Sequence, residues 1–310
     1  MKISVVIPLY NKKDTIIRTL NSVLKQQVLP DEIIVINDGS TDGSENEVDN
    51  LNHSLITLVN QKNKGVSAAR NKGIEIATSE WIAFLDADDL WEREYLREIM
   101  KLAKLYCHCN VLATSYSLKN YLGSSNSITL NKILFKEPTG ILTNYFEVAS
   151  CSHPPLWSSA IVVKKSSLLG IGGFPIGIKS GEDLLTWARL AVNNKIAYSL
   201  KELSIFIQDV QHSKIGKPSR IPDSNDTVGK ELIKLVNRNK EPIKYLNQYI
   251  SHWFKIRAVV FLRLNLRGNC FKECIKSLNY NLKNYKVYLY LIMLIMPLKL
   301  NEYFFKIISK

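Results

Sequence analysis

Four apolar, β-branched runs in the first 88 residues each stop at a polar cluster, and helix-period segments separate them. "ISVVIPLY" (3–10) stops at Asn11, and "EIIVIND" (32–38) runs into "DGSTDGS". "LITLVNQ" covers 55–61, and "EWIAFLDAD" (80–88) ends in carboxylates. Runs this continuous, without polar alternation, mark strands buried on both faces. Between them, "DTIIRTLNSVLKQ" (14–26) sets Ile16, Ile17, Leu20, Val23 and Leu24 on one helical face behind an Asp14 cap. "VSAARNKGIEIAT" (66–78) reads as a second helix and "LWEREYLREIMKLAKLY" (90–106) as a third. This alternation predicts an α/β fold, a Rossmann-like, mostly parallel sheet flanked by helices. Ligands of such sheets gather at the carboxyl ends of the strands.

From 107 to 180 the pattern loosens into Gly, Ser, Asn and Pro-rich stretches such as "YLGSSNS", "CSHPPLW" and "GIGGFP", which suit binding loops. "GEDLLTWARLAVNN" (181–194) then reads as a helix opened by acids and "IAYSLKELSIFIQ" (196–208) as a strand. The reading divides the chain at Gly216, with 1–106 and 107–215 as two halves of one domain and 216–310 as a basic helical region. The tail carries 18 Lys plus Arg against 6 Asp plus Glu, nearly all of the net charge of +13. An electrostatic partner therefore meets the tail first.

Several classes are poorly supported. No Gly-x-Gly-x-x-Gly follows the first strand and no Walker-type loop occurs. Five cysteines without a regular framework argue for a reducing compartment, and Cys107-His108-Cys109 fits no common zinc spacing. No motif supports nucleic-acid binding. The opening "MKISVVIPLYNKK" is better read as a strand than as a signal peptide, because its apolar run is short and leads to Asn11-Lys12-Lys13.

The polar clusters hold the candidate chemistry. Asp86 and Asp88 are two apart and would point the same way from an extended strand end. Two hard oxygen donors there suit Mg²⁺ or Mn²⁺ with positions open to phosphate. Helix capping is the competing reading for Asp88 or Asp89, and spacing alone leaves both open. Asp38, at an equivalent height, reads as a turn residue or as an acceptor for a base N–H or a ribose hydroxyl. Arg70 reads as a surface cation or a diphosphate anchor. Glu182 and Asp183 read as dipole-compatible acids or as a general base. His212 is merely exposed or donates an imidazole to a cation, and Lys214 and Lys217 would then meet phosphate.

In this order and spacing, "SVVIPLYN", "EIIVINDGSTDGS", "NKGVSAARNKGI", "WIAFLDADD", "GIGGF" and "GEDLLTWARLA" resemble the family-two glycosyltransferases of GT-A fold over roughly residues 1–215. The resemblance implies an inverting transferase of hexosyl or N-acetylhexosaminyl type. It implies a nucleotide-diphosphate sugar donor, usually a uridine one, and a divalent cation. Asp38 would hold the nucleoside, with Pro8, Tyr10 and Asn11 lining its pocket and Arg70 near the diphosphate. Asp88 would meet the metal most directly, Asp86 ribose or metal, and Asp89 would start the next helix. Asp183 would be the base, with Glu182 ranked second. The chain departs from the family pattern at Asn37, at Pro175-Ile176 after "GGF", and at Leu185.

The acceptor expected from this resemblance is a glycan or lipid-linked hydroxyl in surface polysaccharide or lipopolysaccharide assembly. The segment 253–300 mixes apolar residues and cations at helical spacing. It reads as a subdomain packed on the core, a homo-oligomer contact, or an interfacial region on an anionic membrane. The last reading places the protein in the cytoplasm at the inner membrane face. The alternatives are a non-catalytic sugar-nucleotide or glycan binding module, and a nucleotidyltransferase. The latter would want a Gly-rich loop where "YNKKDT" stands.

Overall fold

The computed structural model describes residues 1–120, 123–208, 218, 221–238 and 241–297. The chain divides into two compact units, Met1–Val148 with Ser152–Gln208, and Ala149–Cys151 with the described residues after 208. The expected boundary at Gly216 lies outside the described residues.

The first unit opens β1 (Ile3–Leu9), α1 (Lys13–Leu24), β2 (Glu32–Asn37), α2 (Ser44–Leu51), β3 (Ile56–Asn60), α3 (Val66–Ile76) and β4 (Trp81–Phe84). There follow β5 (Leu90–Trp91), α4 (Tyr95–Leu105), β6 (Val111–Asn120), β7 (Ser125–Ser127), β8 (Thr139–Ile141) and α5 (Tyr145–Cys151), whose last three residues count with the second unit. It closes with β9 (Ile161–Lys164), α6 (Lys165–Gly170), α7 (Glu182–Asn193) and β10 (Ile196–Gln208). The sheet order is β3-β2-β1-β4-β9-β6-β10-β5, with β7 on β6 and β8 on β10. The block β3-β2-β1-β4 is parallel throughout, and so is the β6–β10 pair. Antiparallel β9 joins the two.

Register explains why the polar clusters meet. Leu9 lies opposite Asn37, and Asn37 opposite Asn60, so three strands end level. β4 ends at Phe84 opposite Val6, and the chain continues beside β1, where the Leu85 N–H donates to the Val6 carbonyl at 3.2 Å. Residues 85–89 therefore emerge at the same edge. Except for half-buried Pro8, β1 is buried along its length, as a strand covered on both faces must be. α3 lies close against it: a Cβ on Gly73 would come 2.3 Å from Val6 Cγ1, so only glycine fits there.

Two local expectations are corrected. Asp14 does not cap α1. That helix begins at Lys13, and its free N–H groups are met from the next loop, Lys12 N–H by Ser44 Oγ at 2.8 Å and Lys13 N–H by Asp42 Oδ2 at 3.0 Å. The helix expected from 90 starts at Tyr95. Leu90 and Trp91 instead form β5 against Ile205 and Ser204 of β10, because the buried Trp91 indole donates to the Ser159 carbonyl at 2.6 Å. α2 is a further helix, in a stretch to which the sequence pattern assigns no element.

The second unit contains α8 (Thr227–Arg238), α9 (Leu246–Arg263), α10 (Arg267–Tyr280) and α11 (Tyr285–Met293). Ala258, Phe261 and Leu262 of α9 pack with Cys270, Cys274, Val287, Tyr290 and Met293. The buried Arg257 guanidinium pairs with Glu273 at 3.1 Å and Asp226 at 3.4 Å, so its charge is compensated. The cysteines are thiols rather than disulfides. Among the described residues, no helix is long and apolar enough to cross a membrane.

Candidate functional site

The loop after β2 is organised by Asp38. Its buried carboxylate accepts hydrogen bonds from Gln61 Nε2 at 2.7 Å, Lys64 N–H at 2.9 Å and Gly65 N–H at 2.8 Å. That ties the carboxyl end of β2 to the start of α3. Asn11 bridges the neighbouring loop, donating its N–H to Ser40 Oγ at 3.1 Å and accepting from Thr41 N–H at 2.8 Å. Half-buried Pro8 and exposed Tyr10 sit beside this bridge. Asn37 donates to Asn60 Oδ1 at 2.8 Å, an uncharged link between the ends of β2 and β3.

The acidic stretch is a turn rather than an extended strand end, and this is a correction. The Asp89 N–H donates back to the Asp86 carbonyl at 3.0 Å. Threonines of α1 clamp the turn from below: Thr15 and Thr19 donate to the Ala87 carbonyl at 2.8 and 3.0 Å, and Thr19 also reaches the Asp89 carbonyl at 2.9 Å. The turn sends its three acids to different partners. Asp86 takes the Arg70 guanidinium at 2.6 Å, and Asp88 takes the Lys12 ammonium at 2.5 Å.

Asp89 is a second correction: it is no helix cap. It is 1 % exposed and accepts from Trp157 Nε1 at 3.0 Å, Ser159 Oγ at 2.6 Å and the Ile207 N–H at 3.2 Å. Ser159 Oγ also accepts the Asp86 N–H at 3.0 Å. Asp89 thus locks the turn to the end of β10. Burial, and after it the charge of Asp86, pushes its carboxyl up to about 8.

Arg70 is no surface cation. It is 3 % exposed and lies over the Phe174 ring at 5.1 Å. Its Nη1 is 3.8 Å from Glu182 Oε1, beyond hydrogen-bond reach, and its buried Nε and Nη1 have no hydrogen-bond partner. Buried donors left open in this way fit an anion in the completed site.

α7 brings the second pair of acids. Gly181, at φ 83, makes the left-handed entry that a Cβ would disfavour. Trp187 anchors the helix against Phe174 at 5.5 Å and Phe84 at 6.4 Å, next to the turn that carries Asp86. Asn71 of α3 holds the Phe174 backbone through two bonds of 2.8 Å. Burial, then Asp183, raises Glu182 to about 7 against the pull of Arg70. Burial likewise raises Asp183, and Arg70 opposes it. Asp183 accepts the Leu184 N–H at 2.7 Å.

The structure thus brings Arg70, Asp86, Glu182 and Asp183 into electrostatic contact and sets Asp88 beside them on the same turn. His212, with Lys214 and Lys217, lies outside the described residues. Among the described residues, no three His, Cys, Asp or Glu side chains group to hold a metal ion by themselves. Asp86 and Asp88 are each paired with a cation, Arg70 and Lys12, and Asp88 is about one-third exposed. Hard oxygen donors of this kind suit a divalent cation that takes the rest of its shell from phosphate and water.

Sequence reasoning missed Lys12, Asn71, Tyr116, Trp157 and Ser159. Buried Tyr116 donates to the Pro154 carbonyl at 3.0 Å and stacks on Trp157 at 5.6 Å; burial, then Asp183 and Asp89, raises its hydroxyl. "YNKK" and "LWSSA" carry no local signal for these contacts, which form only across the sheet edge.

Residues 4–152 match the family model described as glycosyl transferase family 2. An uncharacterized glycosyltransferase of Rickettsia conorii is 32% identical over 208 residues, 66% of this chain and 32% of that protein. The Escherichia coli UDP-Glc:alpha-D-GlcNAc-diphosphoundecaprenol beta-1,3-glucosyltransferase WfgD is 29% identical over 202 residues, 63% of this chain and 72% of that protein. This chain spans about a third of the curated relatives it first matches. The crystal structure of S. aureus TarS 1–349 in complex with UDP-GlcNAc superposes with a TM-score of 0.70 at 21% identity, covering 90% of this chain and 81% of that one. That likeness concerns the fold.

Proposed function

We propose that this chain, a member of glycosyl transferase family 2, moves a sugar from a uridine diphosphate donor to a glycan or lipid-linked hydroxyl in cell-surface polysaccharide assembly. The observation that carries this reading is the buried Arg70, which joins Asp86 at 2.6 Å to Glu182 at 3.8 Å and keeps two donors open. It draws the donor-side turn and the α7 acids into one place. The UDP-Glc in the name of WfgD and the UDP-GlcNAc bound to TarS support the choice of nucleotide.

In this reading Asp38, Pro8, Tyr10 and Asn11 form the nucleoside end, with exposed Tyr10 offering its ring face to the base. Arg70 meets the diphosphate. Asp88 and Asp86 would hold Mn²⁺ or Mg²⁺, which supplies Lewis-acid stabilisation of the departing diphosphate. Asp183 removes the acceptor hydroxyl proton as that oxygen attacks the anomeric carbon from the face opposite the leaving group. The Arg70 charge acts on both acids, but Glu182 is the one within ion-pair distance of it, at 3.8 Å; this supports Asp183 as the base. A carboxyl raised by burial is better matched to that proton than an ordinary one. The basic segment 253–300 supports work at the cytoplasmic face of an anionic membrane.

Screening nucleotide sugars for protection against thermal unfolding, with and without Mn²⁺, tests the donor. Protection by a uridine sugar followed by its turnover is the expected result. Binding without any turnover in the presence of acceptor glycans would overturn the enzyme reading.

A further inference from the structure

The helical unit exposes large apolar side chains in one stretch: Phe271, Ile275, Leu282, Tyr285, Tyr288 and Ile292 all stand at least 40% exposed. Their spacing is helical. Phe271 and Ile275 are one turn apart on α10, and Tyr285, Tyr288 and Ile292 follow i, i+3, i+7 on α11. Leu282 lies in the 281–284 connector between them. These are not the core-facing stripes. α10 buries Cys270, Glu273, Cys274 and Ser277, and α11 buries Val287, Tyr290 and Met293.

The charge on the same two helices has one sign. Residues 267–293 contain Arg267, Lys272, Lys276, Lys283 and Lys286 against a single acid, Glu273. Glu273 is buried and spent on Arg257 and Lys276. Lys272, Lys283 and Lys286 are exposed and have no acid partner among the described residues. Burial, then the charge of Lys286, brings Lys255 on the adjoining α9 down to about 8.

We propose that α10 and α11 form a docking surface for an anionic lipid bilayer, with Tyr285, Tyr288, Ile292, Phe271 and Ile275 entering the headgroup layer and Lys272, Lys283 and Lys286 meeting lipid phosphates. This rests on the reading above that the protein works at a membrane, and it names the face. Apolar stripes flanked by cations, with tyrosines at the boundary, match the chemistry of that layer. A second copy is a poorer occupant, because a two-fold contact would set the same cations against each other. Nucleic acid would use the cations and leave the stripes in water.

Flotation of the full chain with phosphatidylcholine vesicles, with and without phosphatidylglycerol, tests this. The wild type floats with the mixed vesicles at low salt and stays behind with the neutral ones. K272Q/K283Q/K286Q weakens partition about a hundredfold, at about fivefold per cation. Y285S/Y288S/I292S weakens it about tenfold or more while thermal unfolding and nucleotide binding are kept. Wild-type protein that ignores anionic vesicles would overturn the membrane reading and this inference together. Wild-type binding that Y285S/Y288S/I292S fully retains would overturn only the assignment of the face. Concentration-dependent dimerisation without lipid, lost in that variant, would make the face a self-contact and also overturn it.

Discussion

Arg70 Nη2 sits 2.6 Å from Asp86 Oδ1, sixteen positions away along the chain, with the guanidinium almost fully buried. One helix and one turn are thereby held in a fixed relation at the sheet edge. Arg70→Gln leaves Asp86 without its buried counter-charge, and loss of about 3 kcal/mol of stability is expected. Urea unfolding measures it. Donor affinity falls with it, because the open guanidinium donors go too.

The pH dependence of stability follows from Asp89. Its folded value, about 8, lies above the ordinary 3.8, so the folded state binds more protons in between. Its contribution is fully present below the ordinary value and is lost as pH rises through about 8. Thermal unfolding in chelator is therefore expected at higher temperature near pH 5 than near pH 8. Asp89→Asn flattens that part of the profile, and an unchanged slope in the variant would refute the assignment.

Lys12 and Asp88 form a pair that is largely open to water, with side chains 40% and 32% exposed. Its stability contribution is within about 1 kcal/mol. The ammonium nevertheless competes with a cation at Asp88. Lys12→Gln is expected to tighten Mn²⁺ binding about threefold with thermal stability unchanged. Asp88→Asn removes the binding. Calorimetric titration with Mn²⁺ distinguishes the two.

Gly73→Ala tests the packing of α3 on β1 away from the site chemistry. The added methyl would sit 2.3 Å from Val6 Cγ1, and a loss of about 2 kcal/mol is expected from urea unfolding.

Much of the strand framework was legible because "ISVVIPLY", "EIIVIND" and "WIAFLDAD" are unbroken apolar runs with polar ends. α2 was not, because "SENEVDNL" offers only Val48 and Leu51 to a helical face. β9 is four residues inside a loop-like stretch, and only pairing with β4 and β6 makes it a strand. Asp89 was misread because in sequence it precedes a helix, whereas Trp157, Ser159 and Ile207 claim it from about seventy positions or more away. Local patterns carry the positions of Asp38, Arg70, Asp86, Glu182 and Asp183, and the contacts among them are set by tertiary register.

The central claim is that the α7 acids and the Asp86 turn serve one transfer reaction, with Asp183 taking the proton. The most direct measurement compares Asp183→Asn with wild type for thermal protection by a UDP-sugar and for UDP release in the presence of Mn²⁺ and acceptor glycans. The account predicts protection within about twofold of wild type and release slowed about a thousandfold. Release at the wild-type rate in the variant would contradict it.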